Sequence, residues 1–420
     1  MDSKQLIKTG LTDCEMIQKF LKKIHILQYL HKFFLVYKEY ICMYFVFINF
    51  GKIKKYLNKQ KESFLTIRNY VAKSKEGHFR KIVFVIDGKL QEIGGVETRL
   101  LKTLKYLKAH NFHPIIIASG NNYEYLSKYP FIKLSFDNIL ALKFFVKIIK
   151  KIHPEYIEFQ VKGACAKILA YIGKKQIKEL QTITKTGILF HSKQYFLLEK
   201  QIKYFNNILS VGTDWLKKFK NIQYKIYKIP NYIQPQKNSW MYLGQTKVLF
   251  ISRLHEQEKM QHMYNLISLC KGYNFNIDIA GTGEEIFIKK AKKFAKKNNV
   301  AVNFIGKINT IEYLNNNLTE ILFVAGVGQV IFESASFNIP SLVITHNKKA
   351  NYSDFVTKDN IQKITAYNCV LNTLKLPEEN FKNFVADIPN NLDKYMVKEY
   401  VEKNYSTEKI MSIYMNACKL

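Results

Sequence analysis

From residue 80 onward, apolar positions fall in short unbroken runs separated by stretches of helical spacing. KIVFVID (81–87) is rich in β-branched residues and leads through a glycine-bearing loop into VETRLLKTLKYLKAH. HPIIIAS (113–119), EYIEFQ (155–160), TGILFHS (186–192) and NNILSVG (206–212) repeat the strand pattern, with helical stretches such as NILALKFFVKIIKKI between them. KIYKIPNYIQPQKNSW (225–240) carries two of the eight prolines and reads as a linker between domains. A second series follows: KVLFISR (247–253), FNIDIAG (275–281), VNFIG (302–306), EILFVAG (320–326) and PSLVITH (340–346). Strands alternating with helices predict parallel βαβ units. Two such series in succession predict two doubly wound domains facing a cleft, where ligands of such sheets bind. The last stretch, VKEYVEKNYSTEKIMSIYMNACKL, has the spacing of an amphipathic helical tail.

Residues 1–80 follow another pattern, with 16 Lys or Arg against 6 Asp or Glu. The longest uncharged run in them, Tyr40 to Gly51, is 12 residues, short of the ~20 that a spanning helix needs. An aromatic face flanked by lysines suits a helix lying on an anionic leaflet. A helical extension packed on the next domain fits the same residues.

The chain of 420 residues is 47% hydrophobic with a net charge of +32. That length accommodates two cores, and the charge asks for an anionic partner: membrane surface, phosphorylated substrate or nucleic acid. A lysine excess in a chain rich in Ile, Asn, Tyr and Phe is also what an AT-rich coding sequence produces. Specific nucleic-acid binding is not expected, because no RNP-like aromatic motif, helix-turn-helix cue or zinc finger accompanies the charge. Cys14, Cys42, Cys165, Cys270, Cys369 and Cys418 are scattered without CxxC spacing. This argues against structural zinc or a disulfide framework and for a reducing, cytoplasmic setting. No signal-peptide pattern opens the chain.

Three stretches carry candidate chemistry. In GGVE (94–97), Gly94 and Gly95 precede a helix start, where free amides suit an anion. In SRLHEQEK, Arg253 closes the first strand of the second series and Lys259 follows six residues on. Such a pair can neutralise a diphosphate, the guanidinium as a fork and the ammonium as a point charge. In AGVGQVIFESASFNIP (325–340), a strand runs into Gly326 and Gly328 and then a helix bearing Glu333. With Val330, Ile331 and Phe337 turned to the sheet, Glu333 is expected to face the cleft. There its carboxylate could accept from two vicinal hydroxyls, as in a ribose. AGTGEE (280–285) places Gly281 in another strand-to-turn pair, either a tight turn or part of the base pocket. Neither GxGxxG nor GxxxxGK[ST] occurs.

In this order the stretches resemble a family 4 glycosyltransferase of the GT-B fold. The resemblance covers about residues 80–420 and rests on GGVE, ILSVGTDWLKK with KIPN, ISRL…EK, IDIAGTGE, FIG and GVGQVIFESASFNIPSLV. It implies residues 81–235 as an acceptor-side domain, 236–395 as the nucleotide-sugar domain and 396–420 as a helix returning to the first domain. It also implies that Arg253 and Lys259 bind the donor diphosphate, and that Glu333 holds the ribose as second acid of an EX7E pattern. Gly94, Gly95, Gly326, Gly328 and Gly281 would lie against the donor, with His191 facing the donor sugar. The first acid of that pattern is replaced by Ala325, which puts sugar identity and turnover in question. The implied reaction is sugar transfer from a nucleoside diphosphate sugar, with retention, to a glycan or lipid-linked acceptor in cell-surface polysaccharide synthesis. It needs no cofactor and no metal. The enzyme would be cytoplasmic and peripheral on the inner face of the membrane through residues 1–80. The rival expectation is a non-catalytic nucleotide- or carbohydrate-binding protein on the same scaffold.

Overall fold

The computed structural model describes residues 80–86, 95–118, 126–134, 139–161, 174–190, 204–212, 226–254, 257–347, 350–366, 368–369, 378–388 and 390–420. The expected extension over residues 1–80 therefore lies outside the described residues, Arg80 excepted. No described helix is long and apolar enough to cross a membrane.

The first series builds a sheet from β1 (Arg80–Ile86), β2 (Phe112–Ala118), β3 (Phe131–Lys133), β4 (Tyr156–Val161), β5 (Lys185–Phe190), β6 (Asn207–Ser210) and β7 (Ile226–Lys228). Its helices are α1 (Gly95–Ala109), α2 (Ile139–Ile152) and α3 (Lys174–Gln181). The strand order is β3-β2-β1-β4-β5-β6-β7, parallel throughout. Ile82 to Ile86 are all buried, as a strand covered by helices on both faces requires.

The second series gives β8 (Lys247–Ile251), α4 (Gln257–Leu269), β9 (Asn276–Ala280), α5 (Glu285–Lys297), β10 (Ala301–Gly306) and α6 (Thr310–Asn316). It continues with β11 (Ile321–Gly326), α7 (Gln329–Ser336), β12 (Ser341–Asn347), β13 (Ala350–Phe355), α8 (Ile361–Ala366) and α9 (Glu378–Asp387). The sheet order is β10-β9-β8-β11-β12-β13. The pairs are parallel except β12 with β13. Both sheets thus wind outward from their first strand in one direction and then return, which makes a switch point between β1 and β4 and another between β8 and β11.

Three strands depart from the sequence reading. β3 and β7 are three residues each, too short to carry a period, and β13 is the antiparallel edge of the second sheet. β7 also takes Ile226–Lys228 out of the expected linker and into the first sheet.

The true crossover is Ile229 to Ile233, and it is almost wholly buried. The return crossing lies between α10 (Lys398–Tyr405) and α11 (Thr407–Cys418). Here the Ile233 amide donates to the Tyr405 carbonyl at 2.9 Å, and the Thr407 amide donates to the Ile233 carbonyl at 2.7 Å. The two connections are therefore bonded side by side. Val401 and Tyr405 of α10 pack with Ile331, Phe332 and Val343 of the second domain. Ile410, Met411 and Tyr414 of α11 join Ile82, Phe84 and Leu209 in the core of the first. Each such fully buried apolar side chain is worth about 1.5–3 kcal/mol, so α11 is an integral part of the first domain's core and α10 of the second's.

Candidate functional site

The second switch point is built by main chain. Ala325 pairs with Phe250 across β11 and β8, so the residues just beyond both strands emerge at one edge. On the β8 side these are Ser252, Arg253 and Leu254, with Arg253 partly buried. Lys259, also partly buried, is the third residue of α4. On the β11 side the chain passes Gly326 and Gly328 and enters α7. The fold therefore brings Arg253, Lys259, Gly326 and Gly328 to one sheet edge.

Glycine is demanded here by close approach. A Cβ on Gly281 would lie 1.8 Å from the Ser252 carbonyl oxygen, and the φ of Gly281 is +147°. The Ser252 amide donates to Ala280 O and the Leu254 amide to Thr282 O. The AGTG turn thus forms the floor under the Arg253 loop, which accounts for Gly281 as a packing residue. Gly328, at φ 63° and ψ −123°, starts α7 in a conformation open to glycine. Its amide donates to the Cys369 carbonyl at 3.1 Å. The amide of Gly328, a residue the resemblance places against the donor, is thus engaged within the fold.

Glu333 also departs from expectation. It is 4% exposed rather than open to the cleft, because α1 of the first domain covers it. The Lys102 Nζ donates to Glu333 Oε1 at 2.9 Å and to the Tyr232 carbonyl at 3.3 Å. The Gln329 Nε2, one turn before Glu333 on α7, donates to the same two oxygens at 3.1 and 3.2 Å. Two donors thus serve two acceptors, and the four groups come from α1, the crossover and α7. Lys102, Tyr232 and Gln329 were not singled out in the sequence. A lysine within an amphipathic helix reads as solvated, and nothing local reveals a partner 231 positions away.

Ala325 is fully buried and held between β8 and β12, so the position that resembles the first acid of EX7E is core. Gly95 is the first residue of α1, and Glu97 in its first turn is buried. Gly94 and His191 lie outside the described residues.

Beneath the first sheet lies a second polar cluster. Glu158 on β4 is 1% exposed and Arg99 on α1 is 3% exposed, and Gln160 Nε2 donates to Glu158 Oε1. Burial pushes the Glu158 carboxyl up to about 7, against the opposing pull of the Arg99 guanidinium.

No protein-family profile and no curated protein matches the sequence. Solved structures do match its fold. A glycosyltransferase from Rickettsia africae aligns with a TM-score of 0.58 at 16% identity, over 82% of this chain and 100% of that one. Anabaena Alr3699/HepE, solved with UDP and glucose, aligns with a TM-score of 0.58 at 13% identity, over 81% of this chain and 100% of its own. The pneumococcal O-GlcNAc transferase GtfA, solved with UDP and GlcNAc, gives 0.58 at 10% identity, over 82% and 99%. The chain has the GT-B architecture: two Rossmann-like domains of helices on parallel-dominated sheets.

Proposed function

We propose that this protein is a glycosyltransferase. It moves a sugar from a nucleoside diphosphate sugar to a glycan or lipid-linked acceptor, with retention of configuration. The observation that carries the reading is the second switch point. Arg253 and Lys259 follow β8, the Gly326–Gly328 turn follows the neighbouring β11, and a carboxylate lies in the next helix. Relatives in fold that were solved with UDP and a sugar support a nucleotide sugar as donor.

In this mechanism Arg253 and Lys259 hold the diphosphate and stabilise the charge it gains as the glycosidic bond breaks. The acceptor hydroxyl attacks from the same face and passes its proton to a leaving phosphate oxygen. Cleft closure contributes by positioning. The two cations take the place of a metal, so activity should survive chelation by EDTA. Residues 1–80, with their lysines and aromatic run, would hold the enzyme against an anionic membrane surface on the cytoplasmic side.

The test is a panel of UDP-, GDP-, ADP- and dTDP-sugars assayed for transfer and slow hydrolysis. Turnover of one of them is expected. The core position of Ala325 favours a second reading, a binding protein without turnover; tight binding of a nucleotide sugar with no hydrolysis or transfer would select it. No binding to any donor would reject both.

A further inference from the structure

The Lys102–Glu333 pair bears on how a donor enters. The inference rests on the donor reading proposed above. In that reading Glu333 is the acid that receives the ribose. Its Oε1 already accepts from Lys102 at 2.9 Å and from Gln329 at 3.1 Å. Its side chain is 6% exposed, that of Lys102 23%. A vicinal diol bonding both carboxylate oxygens cannot add to Oε1 while both donors stay. Gln329 shares a helix with Glu333 at i,i+4 and moves with it. Lys102 is the donor that comes from the other domain.

We propose that Lys102 competes with the donor for the ribose subsite, and that donor binding exchanges Lys102 for the ribose hydroxyls on Glu333. Lys102 is a specificity-determining residue in this scheme: it sets a threshold that a ligand with both ribose hydroxyls can meet and a deoxy ligand cannot. The exchange also links the two domains. Lys102 holds the Tyr232 carbonyl at 3.3 Å, so its release loosens α1 from the crossover at the moment the nucleotide arrives. A site whose competent state is only partly populated binds its ligand more weakly by that fraction, and removing the competitor restores the affinity.

The experiment titrates full-length wild type, Lys102→Met and Lys102→Gln with UDP and with 2′,3′-dideoxy-UDP by calorimetry; GDP and ADP with their dideoxy forms replace them if UDP is not the accepted base. Lys102→Met should bind the ribonucleotide roughly tenfold more tightly, within the usual range of coupling between linked sites, and gain nothing for the dideoxy form. Lys102→Gln keeps a neutral donor beside Glu333 and guards against loss of fold; it should show a smaller gain in the same direction. Unchanged or weaker ribonucleotide affinity in both variants overturns the inference and leaves the donor reading standing. An equal gain for the dideoxy form also overturns it. No binding of any diphosphate to wild type or variants overturns the donor reading itself and this inference with it.

Discussion

The Tyr232 hydroxyl lies 2.7 Å from Thr103 Oγ1, and both atoms are buried. Both hydroxyls also reach the Arg99 carbonyl, Thr103 Oγ1 at 3.0 Å and the phenol at 3.3 Å, so the three oxygens share two protons and either hydroxyl can donate within the pair. Tyr232 also offers its carbonyl to Lys102 and Gln329. Tyr232 therefore ties the crossover to α1 by its side chain and to α7 by its main chain. Tyr232→Phe should lose one buried hydrogen bond, about 1 kcal/mol, with the ring still packed. Urea unfolding would measure the loss. A variant as stable as wild type would show that the phenol bond is not part of what fixes the crossover.

Glu158 makes a prediction in pH. Its ordinary value is near 4.5 and its folded value about 7, so the folded protein keeps the proton over a range where the unfolded chain has released it. Stability from this group is complete below about 4.5, falls as pH rises, and has gone by about 7. Tyr156, Tyr414 and Cys418 around it are held well above their usual values by burial and do not titrate in that window. Replacement by Gln removes the titration. The unfolding free energy of wild type relative to Glu158→Gln should drop by on the order of 3 kcal/mol between those pH limits. A difference that stays flat with pH would mean that Glu158 is ionised in the fold.

Gly281 and Gly328 need glycine for different reasons, and their alanine variants should part accordingly. A Cβ at Gly281 meets main chain, the Ser252 carbonyl oxygen, which cannot swing aside. At Gly328 the nearest atom, the Asn368 carbonyl oxygen, is 3.9 Å away, and the obstacle is φ +63° alone. Gly328→Ala should cost about 1–3 kcal/mol as local strain. Gly281→Ala should cost more and push the Ser252–Leu254 segment off its place, lowering affinity for UDP as well as stability. Thermal melts and UDP titrations of both variants check this. Equal losses would mean that the close approach relaxes freely.

The β-branched runs made most strands legible, since a strand covered on both faces must be apolar throughout. The tail showed its helical period, though not that Ser406 divides it between two cores. What failed was long-range pairing. Glu333 was expected to be open to the cleft because α7, taken alone, turns its other side to the sheet. Its actual cover is a lysine from α1, chosen by how two domains meet. Arg99 and Glu158 escaped notice for the same reason: each is one charge in a helix or strand until the fold encloses them together. At Gly281 the sequence shows a strand-to-turn glycine, but not that the carbonyl it makes room for belongs to Ser252, 29 positions earlier and just beyond β8.

Arg253 carries the heaviest demand of the proposed chemistry. Its position just beyond β8, beside the β11 turn, suits a group that meets the diphosphate at the switch point. A guanidinium that forks onto two phosphate oxygens gains in strength as charge collects on the leaving group. Arg253→Ala should therefore weaken UDP binding by about 1.5–3 kcal/mol, roughly 10- to 150-fold in Kd, and lower kcat as well as raise KM. Arg253→Lys keeps the charge without the fork and should fall between. Lys259→Ala acts on a point charge and should weaken binding less than Arg253→Ala. If Arg253→Ala raised KM and left kcat untouched, the residue would be holding the ground-state diphosphate only, and stabilisation of the departing charge would have to come from elsewhere on the same edge.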